Sequence, residues 1–132
     1  METLIKQDEI SGQKMAELTL EAIRVILDNV LKRVNGRFEK KLELRPRTET
    51  KTFGPSGTMV FEYRFFQLAK VKKGFLFKTR ESIITSGSSN PKKNELVFEV
   101  FDRSVVKDLK QEIDNSDFFK KFDRIQPVIL EK

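Results

Sequence analysis

Apolar residues recur at three- and four-residue intervals from Gln13 to Val34. Met15, Leu18, Ala22, Ile23, Ile26, Leu27, Val30, Leu31 and Val34 make one wide stripe, the pattern of an amphipathic helix lying on a core. Glu17, Glu21, Arg24, Asp28 and Lys32 run down the opposite side. Their spacing predicts Arg24–Asp28 and Asp28–Lys32 pairs, each adding about 0.2–0.5 kcal/mol. Lys32 and Arg33 complement the negative end of the helix dipole, and Asn35-Gly36 supplies the stop. The stripe is expected to be buried in the monomer core, a second copy being the alternative cover.

The period then changes to two. Arg37–Arg45 reads as a strand with Phe38, Leu42 and Leu44 on one face, and Pro46 is expected to end it by removing a ladder donor. Arg47–Gly57 reads as a loop because of its Gly54-Pro-Ser-Gly57 tail. From Thr58 to Arg80 the chain predicts a hairpin. Met59, Phe61, Tyr63 and Phe65 alternate with Glu62 and Arg64, Lys72-Lys73-Gly74 makes the reversal, and Phe75 and Phe77 resume the alternation on a strand reaching Ile84. Phe61, Phe65 and Phe75 are expected under the helices.

Ser86–Asn94 reads as a flexible loop tipped by Lys92 and Lys93. In Glu95–Phe101, Leu96, Phe98 and Val100 lie on one side with Val97 and Phe101 on the other, predicting a strand covered on both faces or lying at a subunit contact. Asp102 or Ser104 caps a second helix carrying Val105, Val106, Leu109 and Ile113. Ser116-Asp117 starts a further turn or two, Pro127 closes it, and Val128–Leu130 is an apolar end suited to an edge strand. The fold class that results is α+β: an N-terminal amphipathic helix, a four-stranded antiparallel sheet, and C-terminal helices packed on one face. Residues 13–132 form a single domain behind a flexible segment, 1–12.

The chain of 132 residues has neither Cys nor His. That excludes disulfides and thiolate metal sites, and removes the commonest general base. With no continuous apolar leader or span, a cytoplasmic protein without a membrane partner is expected. Charge is segregated: residues 37–93 hold 14 Lys or Arg against 5 Asp or Glu, whereas both flanking segments are slightly acidic. Such a middle suits a polyanion.

Single-strand binders combine cations that track phosphates with rings that stack on bases. Arg64, Lys70, Lys72, Lys73, Lys78 and Arg80 supply the cations of the hairpin, with Arg45, Arg47, Lys92 and Lys93 extending the track. Phe66, out of phase with the apolar face, is the leading stacking ring, with Tyr63 and Phe77 as alternatives. In element order, four strands and a helix over residues 37–122, ending in Val105–Ile113, the chain resembles the Whirly and transcriptional-coactivator type of single-strand binder.

The expectation is a small, basic, non-enzymatic protein binding single-stranded DNA or RNA without strong sequence specificity. It has no catalytic residues, metal or cofactor, and a homodimer is a candidate state. The alternative is an accessory or inhibitor module, from a phage or other mobile element, docking on an acidic protein partner. A third reading is a Mg²⁺-dependent nuclease built on Glu39-Lys40-Lys41 or Glu49-Thr50-Lys51, a spacing that Glu- and Lys-rich chains produce readily.

Overall fold

The computed structural model describes residues 12–57, 59–87 and 95–132. The predicted lead-in up to Ser11 and the loop segment holding Lys92 and Lys93 lie outside the described residues. Helix α1 (Gly12–Val34) forms where its stripe predicts, and a 3₁₀ turn (Asn35–Arg37) ends it. Strands β1 (Leu42–Phe53), β2 (Met59–Lys73), β3 (Lys78–Gly87) and β4 (Glu95–Val100) follow. Helices α2 (Val106–Asp114) and α3 (Asp117–Lys121) then lead to β5 (Gln126–Glu131). Asp102 accepts from the Ser104 amide at 3.0 Å, the predicted cap, ahead of the 3₁₀ turn that opens α2.

The sheet is one α+β layer in the order β1-β2-β3-β4-β5, with five strands where four were expected. β1 to β4 pair antiparallel, and β5 returns parallel to β4. A parallel return needs a crossover, which α2 and α3 provide. Pro46, expected to end its strand, lies inside β1. Pro127 follows α3 as expected and stands near the start of β5, the outer strand anticipated at Val128–Leu130. Pro46 sits opposite Phe66 in β1, and Pro127 opposite Leu96 in β5. These are the two outer strands, where only one edge needs its amides paired, so a missing donor is tolerated. β1 therefore runs on to Phe53, and the predicted loop shrinks to the turn Gly54–Gly57. That turn has φ of 98° at Gly54 and 64° at Gly57, angles that glycine adopts without strain.

One face of the sheet is closed by helices. Ile23, Leu27, Val30 and Val34 of α1, with Leu109 and Ile113 of α2, are buried in one cluster with Leu42, Leu68, Ile84, Leu96 and Phe98. A β-bulge pairs Leu68 with Ile84 but Ala69 with Ser82, leaving Ile83 unmatched, so that Ile83 and Ile84 are both buried. α1 and α2 are also clamped by charge. Arg37 donates to both Asp108 oxygens, at 2.6 and 2.9 Å, and Arg33 meets Glu112 at 2.6 Å. The Arg37 hydrogen bonds hold the Asp108 carboxyl below its ordinary range. On the outer side of α1 Lys32 pairs with Asp28 as predicted, while Arg24 takes Glu21 instead of Asp28.

Among the described residues β4 is covered on one face: Leu96, Phe98 and Val100 are buried, Val97 is half-buried and Phe101, just beyond the strand, is exposed. Phe98→Ala is expected to cost about 3–5 kcal/mol in urea denaturation, because it empties a fully enclosed site. Phe75→Ala should stay within about 0.5 kcal/mol, since its ring touches water on all sides. The reverse ranking would contradict the assigned core.

Candidate nucleic-acid interface

Alternation along β2 divides its side chains between two faces. Phe66 and Leu68 point to the helices, so Tyr63, Phe65 and Gln67 point away from them. Register carries this open face across the sheet. Arg47, Phe65 and Gly87 form one row, Arg45, Gln67, Thr85 and Glu99 the next, and Glu43, Ala69 and Ser82 the third. Among the described residues, the helices pack on the other face.

The rings of Tyr63 and Phe65 stack on this face with centroids 5.5 Å apart and planes 21° from parallel. Beside them Arg47 donates to the Gln67 carbonyl oxygen at 3.2 Å, and the Gln67 amide nitrogen donates to the Ser82 hydroxyl at 2.6 Å. Together with Glu49, Thr85 and Glu99 these residues line a depression of about 350 Å³. Its floor is aromatic and its rim carries donors, acceptors and charges of both signs. Burial raises the Tyr63 phenol above its ordinary value of 10.0, and the Glu99 and Glu49 carboxylates push it the same way.

Comparison with protein-family models, curated proteins and solved structures found no match.

Among the described residues, the expected site residues divide into three groups. Arg45, Arg47 and Arg80 lie on the open face. Arg45 and Arg80 share Glu43, at 3.6 and 3.3 Å. Lys70, Lys72, Lys73 and Lys78 lie at the far end of the β2–β3 hairpin, where Lys70 and Lys72 share Glu81 at 3.7 and 2.8 Å. Lys70 also sits 5.8 Å over the Phe38 ring.

Arg64 and Phe66 fall on the covered face and are withdrawn from the site. Arg64 pairs with Glu17 of α1 at 2.8 Å, and Phe66 packs against the core. Phe66 is out of phase with Tyr63 and Phe65 because it belongs to the buried set. The assignment of the other rings reverses with it: Phe65 lies on the open face, and Phe75 is fully exposed in the turn. Phe61 is placed on β2 opposite Lys51. Lys92 and Lys93 lie outside the described residues.

Gln67, Ser82, Thr85 and Gly87 escaped the sequence reading. Their signal was the phase of Leu68: once that residue faces the helix, Gln67 must face away. A Cβ at Gly87 would lie 2.5 Å from the Tyr63 hydroxyl, 2.6 Å from the Phe65 Cβ and 2.7 Å from the Arg64 carbonyl oxygen. Only glycine leaves room for the ring pair.

Gly87→Ala should therefore destabilise the fold by about 1–3 kcal/mol and displace Tyr63. As Tyr63 is the one tyrosine in a chain without tryptophan, intrinsic fluorescence reports the displacement directly. Unchanged stability and emission would contradict the packing. A second expectation concerns pH. The unfolded chain releases the phenol proton at the ordinary value of 10.0, whereas the folded chain holds it more tightly. The stability from Tyr63 is whole below pH 10 and is lost as pH rises through the higher folded midpoint. Phenolate absorbance should show that midpoint above 10.0, moving down in Glu99→Gln.

Proposed function

We propose that the chain is a non-enzymatic protein that binds single-stranded nucleic acid on the open face of its sheet, in the cytoplasm. The observation that carries this reading is the stacked Tyr63–Phe65 pair on an uncovered face, flanked by Arg45 and Arg47. Bases have apolar planes and wet edges, and this face offers both counterparts. The rings accept stacking at about 1–3 kcal/mol per base, whatever the base. Gln67, Ser82 and Thr85 offer hydrogen bonds to base edges.

Charge orients the strand. Glu49 and Glu99 flank Tyr63 and repel phosphates. Arg45 and Arg47 of β1, with Arg80 of β3 reaching across to Glu43, attract them toward the other end of the face. Bases therefore lie over the rings with the backbone over the arginine row. Binding without strong sequence preference follows, since stacking and phosphate contacts dominate.

Fluorescence anisotropy with a labelled single-stranded oligonucleotide tests this. Affinity should fall steeply with added salt, as released counterions require. Arg45→Glu with Arg47→Glu should weaken binding at least tenfold, by reversing two phosphate contacts. Tyr63→Ala and Phe65→Ala should each cost about 1–3 kcal/mol. Arg64→Gln, on the covered face, should leave affinity within about twofold. Equal losses at Arg64 and Arg47, or wild-type binding by both ring variants, would refute the reading.

A further inference from the structure

The end of the β2–β3 hairpin carries the three most exposed large apolar side chains among the described residues. Phe75 is 100% exposed, Leu76 76% and Phe77 75%. They stand in a turn closed by the Gly74 amide donating to the Phe77 carbonyl at 2.8 Å. The expected turn at Lys72-Lys73-Gly74 is displaced along the chain, so rings expected on a strand are presented at the tip. Three adjacent apolar side chains held in water need a counterpart.

The cations behind the tip show which kind. Lys73 and Lys78 stand directly opposite each other on the open-face side of the ribbon. On the other side Lys72 and Lys70 gather with Lys40 around Glu81. The apolar cap is thus backed by positive charge on both faces of the ribbon. Of the hairpin's cations, a nucleic-acid strand lying along the open face would meet Lys73, Lys78 and Arg80. It would leave the Lys72 side unused, and Leu76 has no ring to stack. A flat anionic surface met end-on engages both sides at once.

We propose that the hairpin tip is an interfacial anchor for an anionic lipid bilayer. Phe75, Leu76 and Phe77 enter the boundary between headgroups and acyl chains, and Lys72, Lys73 and Lys78 pair with headgroup phosphates. Apolar insertion together with a basic patch is the two-signal arrangement that peripheral attachment requires. No helix of the described residues is long and apolar enough to cross a membrane, and an anchor of this kind needs none. It revises the expectation of no membrane partner and does not rest on the nucleic-acid reading.

The chain has no tryptophan, so Phe77→Trp places a single reporter at the tip. With vesicles of phosphatidylglycerol and phosphatidylcholine its emission should shift to the blue and be quenched by brominated acyl chains. Pure phosphatidylcholine should give a weaker response. In flotation with the same vesicles, the combined change of Phe75, Leu76 and Phe77 to Ser should lower partitioning about tenfold or more. Each Lys→Glu change at 72, 73 or 78 should lower it about fivefold or more.

Circular dichroism checks that each variant keeps its fold, and the serine variant should keep its oligonucleotide affinity. No shift and no flotation would overturn the anchor. So would emission that answers to an oligonucleotide but not to vesicles, which would give the tip to the nucleic-acid site. A blue shift in buffer alone that grows with protein concentration would overturn it in favour of self-association. Flotation without oligonucleotide binding would sink only the sheet reading.

Discussion

Burial of the apolar stripe of α1 against a single face of the sheet is the constraint from which the other features follow. Ile23, Leu27, Val30 and Val34 are removed from water there together with Leu68, Ile84 and Phe98, and their transfer supplies most of what holds the layers together. The outer side of α1 carries Glu21, Arg24, Asp28 and Lys32, and α2 is tied to its C-terminal end by Arg33 and Arg37. Among the described residues no helix remains to cover the second sheet face. Tyr63 and Phe65 cannot retreat into a core and instead cover each other and Gly87.

How much of this was legible in the chain depended on whether a segment carried one apolar phase or two. α1 has a single stripe, and its bounds were readable to within a residue. α2 and α3 are legible for the same reason, whereas β4, apolar in both phases, is legible as a strand but not in which face is covered. β2 has large apolar residues in both phases, with Tyr63 and Phe65 in one and Phe66 and Leu68 in the other. Alternation alone does not say which set meets the helix, so Phe65 and Phe66 exchange the places expected of them, while Tyr63 keeps its own. Pro46 misleads for a different reason: whether a missing amide matters depends on whether the strand is at an edge, and edge position is a property of the assembled sheet. The bulge at Ile83 has no local signature, and the turn shift to Gly74–Phe77 follows from pairing that extends to Lys73 and Lys78.

The positive charge of the middle segment proved real but divided. Glu43 is shared by two arginines, Glu81 by two lysines, and Glu17 occupies Arg64. What remains is an arginine row on the open face and a lysine collar at the hairpin end. These regions have different companions: stacked rings with hydrogen-bonding amides and hydroxyls in one case, bare apolar side chains in the other. A polyanion with planar bases matches the first, and a surface with an apolar interior matches the second. The cytoplasmic leaflet of a bilayer is anionic, so one compartment would supply both.

The most direct measurement is residue-resolved amide chemical-shift mapping as single-stranded oligonucleotide is added. Perturbations are expected to be confined to the open-face rows, centred on Arg47, Tyr63, Phe65, Gln67 and Thr85, with the outer side of α1 unmoved. Perturbations centred on α1 and α2, or no perturbation at any oligonucleotide concentration, would contradict the open-face site.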